Sequence, residues 1–252
     1  MPQPGCPSRG APNGEAGTAR KSSMGNMTGR TYVGMRLRAV AVAAALALPM
    51  AMLWAAPAHA AQMEERMLFG KQATASTNLT AFSKWTDTLE RYFKGRDLAE
   101  GSCDESFFNR CHLKEWNRFL EDLRGQSRPT QIEAVNRYLN RVSYLTDPIN
   151  YGVSDYWAMP GEHLRRRGDC EDYAIAKFLS LRALGFANED LRVVVLQDLN
   201  LRIPHAVLVV YMAGQPYLLD NQIHSVVPAT TVRHYQPVYS LNETHWWLYH
   251  SP

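Results

Sequence analysis

Hydrophobic residues follow two regimes along this chain. Between residues 79 and 142 they recur at helical spacing. Phe82, Trp85, Leu89 and Tyr92–Phe93 form one run; Leu113, Trp116, Phe119–Leu120 and Leu123 a second; Ile132, Val135, Tyr138–Leu139 and Val142 a third. Each predicts an amphipathic helix, the first two stopped by Gly95 and Gly125. Aromatic stripes of this kind read as core. Pro160 then interrupts the pattern, which puts Tyr156 and Trp157 in a loop or short turn before a small helix. A firmer helix starts near Cys170, with Ala174, Phe178, Leu181 and Leu184 as its apolar side and Gly185 at its end. Asp169 suits the N-cap, and Asp172 three residues later resembles the reciprocal half of a capping box.

After Gly185 the regime changes to short β-branched or apolar runs: "LRVVVLQDL", "HAVLVVYM", "PYLLDNQ", "QPVYSLN" and "HWWLYH". Gly214-Gln215-Pro216 separates the second and third as a hairpin-like turn. A helical first half followed by an antiparallel sheet predicts an α+β fold. No repeat or low-complexity linker divides residues 61–252, so they read as one domain.

Charge first suggests a nucleic-acid partner and then removes it. The formal net charge is +3. Residues 1–60, however, carry six basic side chains and one acidic one, and the remainder is slightly acidic. The basic excess therefore belongs to the N-terminal segment, not to a binding face. That segment reads as an export signal. Met35-Arg36-Leu37-Arg38 gives a positive start, an Ala/Leu-rich run follows to about Ala56, and Ala58-His59-Ala60 presents small residues before Ala61. We expect a signal peptide at 35–60, cleaved after Ala60, with no stable membrane insertion afterwards. Residues 1–34 have no apolar periodicity and read as a disordered extension, Met35 being a candidate true start.

Export changes how the cysteines read. Cys103 and Cys111 lie in a loop-like stretch, "CDESFFNRC", and are expected to form a disulfide in an oxidising compartment. Cys170 is then left unpaired, and catalysis is a leading explanation for an odd thiol. It stands at the first turn of its helix, where unpaired N–H groups and the helix dipole stabilise a thiolate. His205 opens one strand, and Asp220 ends the next across the Gly214 turn, so the two can be neighbours. Nucleophile, base and orienting carboxylate would thus follow the order Cys170, His205, Asp220. Each has a plainer reading as a buried thiol, a satisfied strand-end histidine or a turn aspartate. Asp169, Glu171 and Asp172 pose a separate problem, because carboxylates beside a thiol oppose its ionisation. They either hold a cation or simply cap the helix. Zinc suits them poorly, Cys170 being the only soft ligand nearby.

"DYWAMPGEHLRRRGDCEDYAIAKFLSLRALG", "HAVLVVY", "LLDN" and "PVYSLNETHWWLY" closely resemble the bacterial transglutaminase-like cysteine proteinases, the LapG-type periplasmic proteases. The resemblance runs from about Trp85 to Tyr249, and "GDCEDYA-AK" is its most specific block. It implies a papain-like, transglutaminase-like fold and a catalytic Cys170, His205 and Asp220. It also implies Ca²⁺ held by Asp169, Glu171 and Asp172; a hard cation that takes six to eight oxygens would neutralise their charge beside the thiol. The implied substrate is a large cell-surface adhesin of the repeats-in-toxin type, cut near its N-terminal retention module at a double-alanine site, which releases it and disperses biofilm. The implied regulator is an inner-membrane cyclic-di-GMP receptor whose periplasmic domain sequesters the protease. Trp157 is a candidate oxyanion donor or substrate wall, with core packing as the plainer role. Arg165-Arg166-Arg167 reads as a solvated face that could meet an acidic partner. Two other functions share the same residues: acyl transfer to an amine or cell-wall amide cleavage, and calcium-responsive binding without turnover.

Overall fold

A computed structural model describes residues 67–95 and 112–250. The N-terminal extension, the expected signal peptide and the Cys103–Cys111 pair lie outside the described residues. Among the described residues, no helix is long and apolar enough to cross a membrane.

The helical half holds α1 (Ser83–Gly95), α2 (His112–Leu123), α3 (Arg128–Leu139), a single turn α4 (Asp147–Asn150), α5 (Pro160–Arg166) and α6 (Cys170–Ala183). Trp85 and Leu89 of α1 are buried, as are Trp116 and Leu120 of α2 and Ile132, Val135 and Leu139 of α3. Phe93, expected in the α1 stripe, is instead 45% exposed near the helix end. Ser127 caps α3, its hydroxyl accepting from Thr130 N–H at 3.3 Å. Pro160 opens α5 at a position where its missing N–H costs nothing. Helix α6 departs from the one-sided pattern expected of it: every residue from Cys170 to Leu181 is buried. Packed on several sides at once, it has no solvent face to keep polar, so Asp172, Glu171 and Lys177 go inside with the apolar residues.

The sheet has seven strands: β1 (Gln72–Ser76), β2 (Leu191–Asp198), β3 (Ile203–Met212), β4 (Gln215–Leu219), β5 (Val227–Pro228), β6 (Tyr235–Leu241) and β7 (Trp246–His250). Their order is β1-β7-β6-β2-β3-β4-β5, and the strand pairs are antiparallel. Five are the strands expected from sequence. β1 is too polar, and β5 too short, to carry an alternation signal. The β3–β4 hairpin turns at Ala213–Gly214, both at positive φ (48° and 79°), the geometry of a tight two-residue turn.

Both faces of the sheet are covered. One packs against the helices through Val193, Val195, Ala206, Leu208, Val210 and Tyr239, in a core shared with Cys170, Ala174 and Phe178. The other buries Val194, Leu196, Val207, Val209, Tyr235 and Trp247. Burial on both sides explains why β2 and β3 read as continuous apolar runs. Helix α6 packs mainly on β3, so the strand that begins beside His205 runs against the helix that begins at Cys170.

Candidate active site and acidic cluster

His205 and Asp220 meet as the hairpin predicts. Leu208 of β3 faces Leu219 of β4, the last pair of their ladder. One residue past that pair, Asp220 has its carboxylate on the same sheet face as His205, in a diagonal relation that long side chains can bridge. His205 Nε2 and Asp220 Oδ1 lie 2.9 Å apart, and each residue is 1% exposed. Oδ1 also accepts from Gln222 N–H at 2.9 Å. Oδ2 accepts from the Tyr235 hydroxyl at 2.7 Å, a partner that sequence spacing did not reveal. Burial pushes the Asp220 carboxyl up, but the charge and hydrogen bond of His205, with those from Gln222 and Tyr235, outweigh it and hold Asp220 below the usual carboxylate range. Asp220 therefore stays ionised and fixes the proton of a neutral His205 on Nε2, leaving Nδ1 as the basic nitrogen.

Cys170 is the first residue of α6 and is 1% exposed. Its sulfur lies 3.4 Å from Glu171 Oε2. It is the sole cysteine among the described residues. Cys170 belongs to the helix-side core with Ala206 and Leu208. Tyr235, which holds Asp220, belongs to the core on the opposite face. The structure thus joins two of the three expected catalytic residues directly and places the third on the helix packed against their strand.

The carboxylates form a separate cluster. Oxygens of Asp147, Asp169 and Asp172 lie within 4.8 Å of one another. Two oxygens on one Ca²⁺, each about 2.3–2.6 Å from it, can be up to about 5 Å apart, so the spacing fits. Asp147 was not anticipated. A backbone bridge between Tyr144 and Gly168, with Leu145 N–H donating to Gly168 C=O at 2.9 Å, lays its segment beside the start of α6. In sequence, Thr146-Asp147-Pro148 reads only as a turn. Glu171 adjoins this trio: its carboxyl interacts with that of Asp169, and its Oε2 lies 3.4 Å from the Cys170 sulfur. Asp172 Oδ2 accepts from Asp169 N–H at 3.2 Å, the expected half of the capping box, and its Oδ1 accepts from Ala158 N–H at 2.7 Å. Oδ1 of Asp147 is buried without a hydrogen-bond partner, a condition that a bound cation would relieve. Burial, reinforced by Asp169, pushes Asp147 up to about 7 and drives Glu171 and Asp172 well above the usual range. Burial raises Asp169 as well.

Gly168 allows this crowding. A Cβ there would strike Asp172 Oδ2 and stand 2.7 Å from both Asp172 Cβ and His163 Nδ1. Trp157 is 5% exposed in the helix-side core. Its carbonyl accepts from Thr88 at 2.8 Å and from Arg91 at 2.6 Å, while its indole N–H is buried without a partner. Arg165, Arg166 and Arg167 are exposed, as expected. Arg166 lies over the Tyr151 ring at 5.0 Å.

A central buried helix opened by cysteine and packed on an antiparallel sheet gives the α+β, papain-like architecture of cysteine proteinases. Within that class, the chain belongs to the bacterial transglutaminase-like cysteine proteinases, whose family model matches residues 103–250, more than half of its length. It is similar to LapG of Legionella pneumophila at 31% identity, over 64% of this chain and 87% of that one, with a TM-score of 0.52. The calcium-bound form of that LapG matches over the same shares at 31% identity and a TM-score of 0.53. The EGTA-treated form matches at 31% identity over 64% of this chain and 85% of that one, with a TM-score of 0.52. No curated protein matches the chain.

Proposed function

We propose that the protein is a calcium-dependent, exported cysteine endopeptidase that releases a large repeat-containing surface adhesin by cutting it near its N-terminus, and so controls biofilm adhesion. The observation that carries this reading is the buried His205–Asp220 pair, set on the strand against which the Cys170 helix packs. Nδ1 of His205 takes the Cys170 proton. The thiolate then attacks the scissile carbonyl, and the Cys170 backbone N–H, at the open end of α6, faces the developing oxyanion. As the C–N bond breaks, His205 returns its proton to the leaving amine, and a thioester remains. Water attacks the thioester while His205 accepts its proton. The acid departs, and the proton goes back to sulfur.

Asp147, Asp169 and Asp172 fit Ca²⁺ by spacing and by the unpartnered Oδ1 of Asp147, and Glu171 adjoins them. Bound there, the ion would supply positive charge that keeps these carboxylates ionised and lifts their opposition to a thiolate. The periplasmic domain of an inner-membrane cyclic-di-GMP receptor is the proposed partner, and the periplasm the proposed location.

The test is cleavage of an N-terminal adhesin fragment bearing a double-alanine site by reduced protein. Wild type with Ca²⁺ should cut it; Cys170→Ala, His205→Ala and EGTA-treated protein should not, and Ca²⁺ should restore the last. Cleavage by Cys170→Ala would refute a cysteine endopeptidase. With a primary amine present, mainly amide product would favour acyl transfer instead.

A further inference from the structure

The proposed mechanism uses Cys170, His205 and Asp220, but a fourth residue touches two of the groups involved. Tyr235 opens β6 and is 3% exposed. Its hydroxyl donates to Asp220 Oδ2 at 2.7 Å. Its ring meets the His205 ring edge-on, with centroids 5.8 Å apart at 60°. The ring is itself clamped, by Phe69 at 5.8 Å and His234 at 4.6 Å. Its backbone is paired with Asp198 of β2. The phenol is therefore held on the sheet rather than on a mobile loop.

We propose that Tyr235 is a positioning residue for the His205–Asp220 pair: it holds Oδ2 of Asp220 so that Oδ1 stays turned to His205 Nε2. This rests on the cysteine-proteinase reading and deepens it. A carboxylate at the end of a strand can rotate about its own Cα–Cβ and Cβ–Cγ bonds, and His205 and Gln222 both bind the same oxygen. Without the phenol, nothing described fixes the other. Burial and the charges of Asp220 and Asp198 push the Tyr235 hydroxyl above its usual range, so it remains a donor throughout the working pH range. The other titratable groups here are His205 from β3, His234 beside the Tyr235 ring, and Lys177 from α6, which feels the charge of Asp220.

The test needs no protein substrate. The full chain is reduced and treated with iodoacetamide across a pH series, and alkylation of the Cys170 peptide is followed by mass spectrometry. In Tyr235→Phe, which keeps the ring, Asp220 is free to turn from His205 and the imidazolium loses one charged hydrogen bond, so the acid limb should move up by about one pH unit and the rate below neutrality should fall about tenfold. The thermal midpoint should change little. A Tyr235→Phe profile superimposed on that of wild type, with His205→Ala clearly displaced, overturns the role of Tyr235 and leaves the triad standing. A His205→Ala profile identical to wild type overturns the triad, and the inference with it.

Discussion

Gly168→Ala adds a single methyl group where the chain has no room for one. The new Cβ would run into Asp172 Oδ2 and stand 2.7 Å from Asp172 Cβ and from His163 Nδ1. Neither obstacle is the free end of a flexible chain. Asp172 Cβ is fixed to the first turn of α6, and His163 is fully buried against the Tyr173 ring, with centroids 4.5 Å apart. Relief therefore requires Asp172 to swing away, which breaks its bonds from Ala158 N–H and Asp169 N–H. Overpacking a tight site costs about 1–3 kcal/mol. Each lost bond adds about 1 kcal/mol, the value for a neutral acceptor, since burial favours the protonated form of Asp172. The total is about 4 kcal/mol, a large share of the stability of a domain this size. Urea unfolding of wild type and variant in EGTA at one pH would read this as a shift in midpoint at similar slope. The same displacement should weaken Ca²⁺ binding measured by calorimetry. A loss below about 1 kcal/mol, with Ca²⁺ affinity unchanged, would refute the packing account of this glycine.

Three further outcomes are expected. Asp147→Asn should lower Ca²⁺ affinity at least about tenfold by calorimetry, since it removes a charged ligand; unchanged affinity would take Asp147 out of the site. Lys177 is buried and held down to about 7 from its usual 10.5, so between those values the unfolded chain binds the extra proton and stability should rise with pH, by roughly 5 kcal/mol at most. Lys177→Met should remove that rise and be at least as stable as wild type at pH 6; an unaltered slope would show that this ammonium is not desolvated. Trp85 is fully buried, and its indole N–H donates to Asn242 C=O at 2.8 Å; Trp85→Ala should therefore cost about 3–5 kcal/mol, and a loss under 1 kcal/mol by urea unfolding would contradict its place in the core.

Much of the molecule could be read from the order of its residues, because the relevant physics is local. Helical spacing placed Trp85, Trp116 and Ile132 inside, and Gly214 put His205 and Asp220 at one end of a hairpin, where a single hydrogen bond now joins them. Asp169 and Asp172 could be recognised beside the cysteine because they fall within one helical turn. Their partner Asp147 could not: the Tyr144–Gly168 bridge delivers it from another segment, and nothing in a Thr-Asp-Pro turn signals that destination. Tyr235 was hidden for the same reason, lying in a different strand from the carboxylate it holds.

Sequence alone thus determined the element types, the hairpin that pairs base with acid, and the position of the cysteine at a helix start, all properties of neighbours along the chain. Tertiary structure decided which carboxylates share a site, which phenol steadies Asp220, and why residue 168 must be glycine. Those depend on distances between segments that approach only when α6 is enclosed, and burial there gives charge and volume costs that an isolated stretch of sequence does not bear.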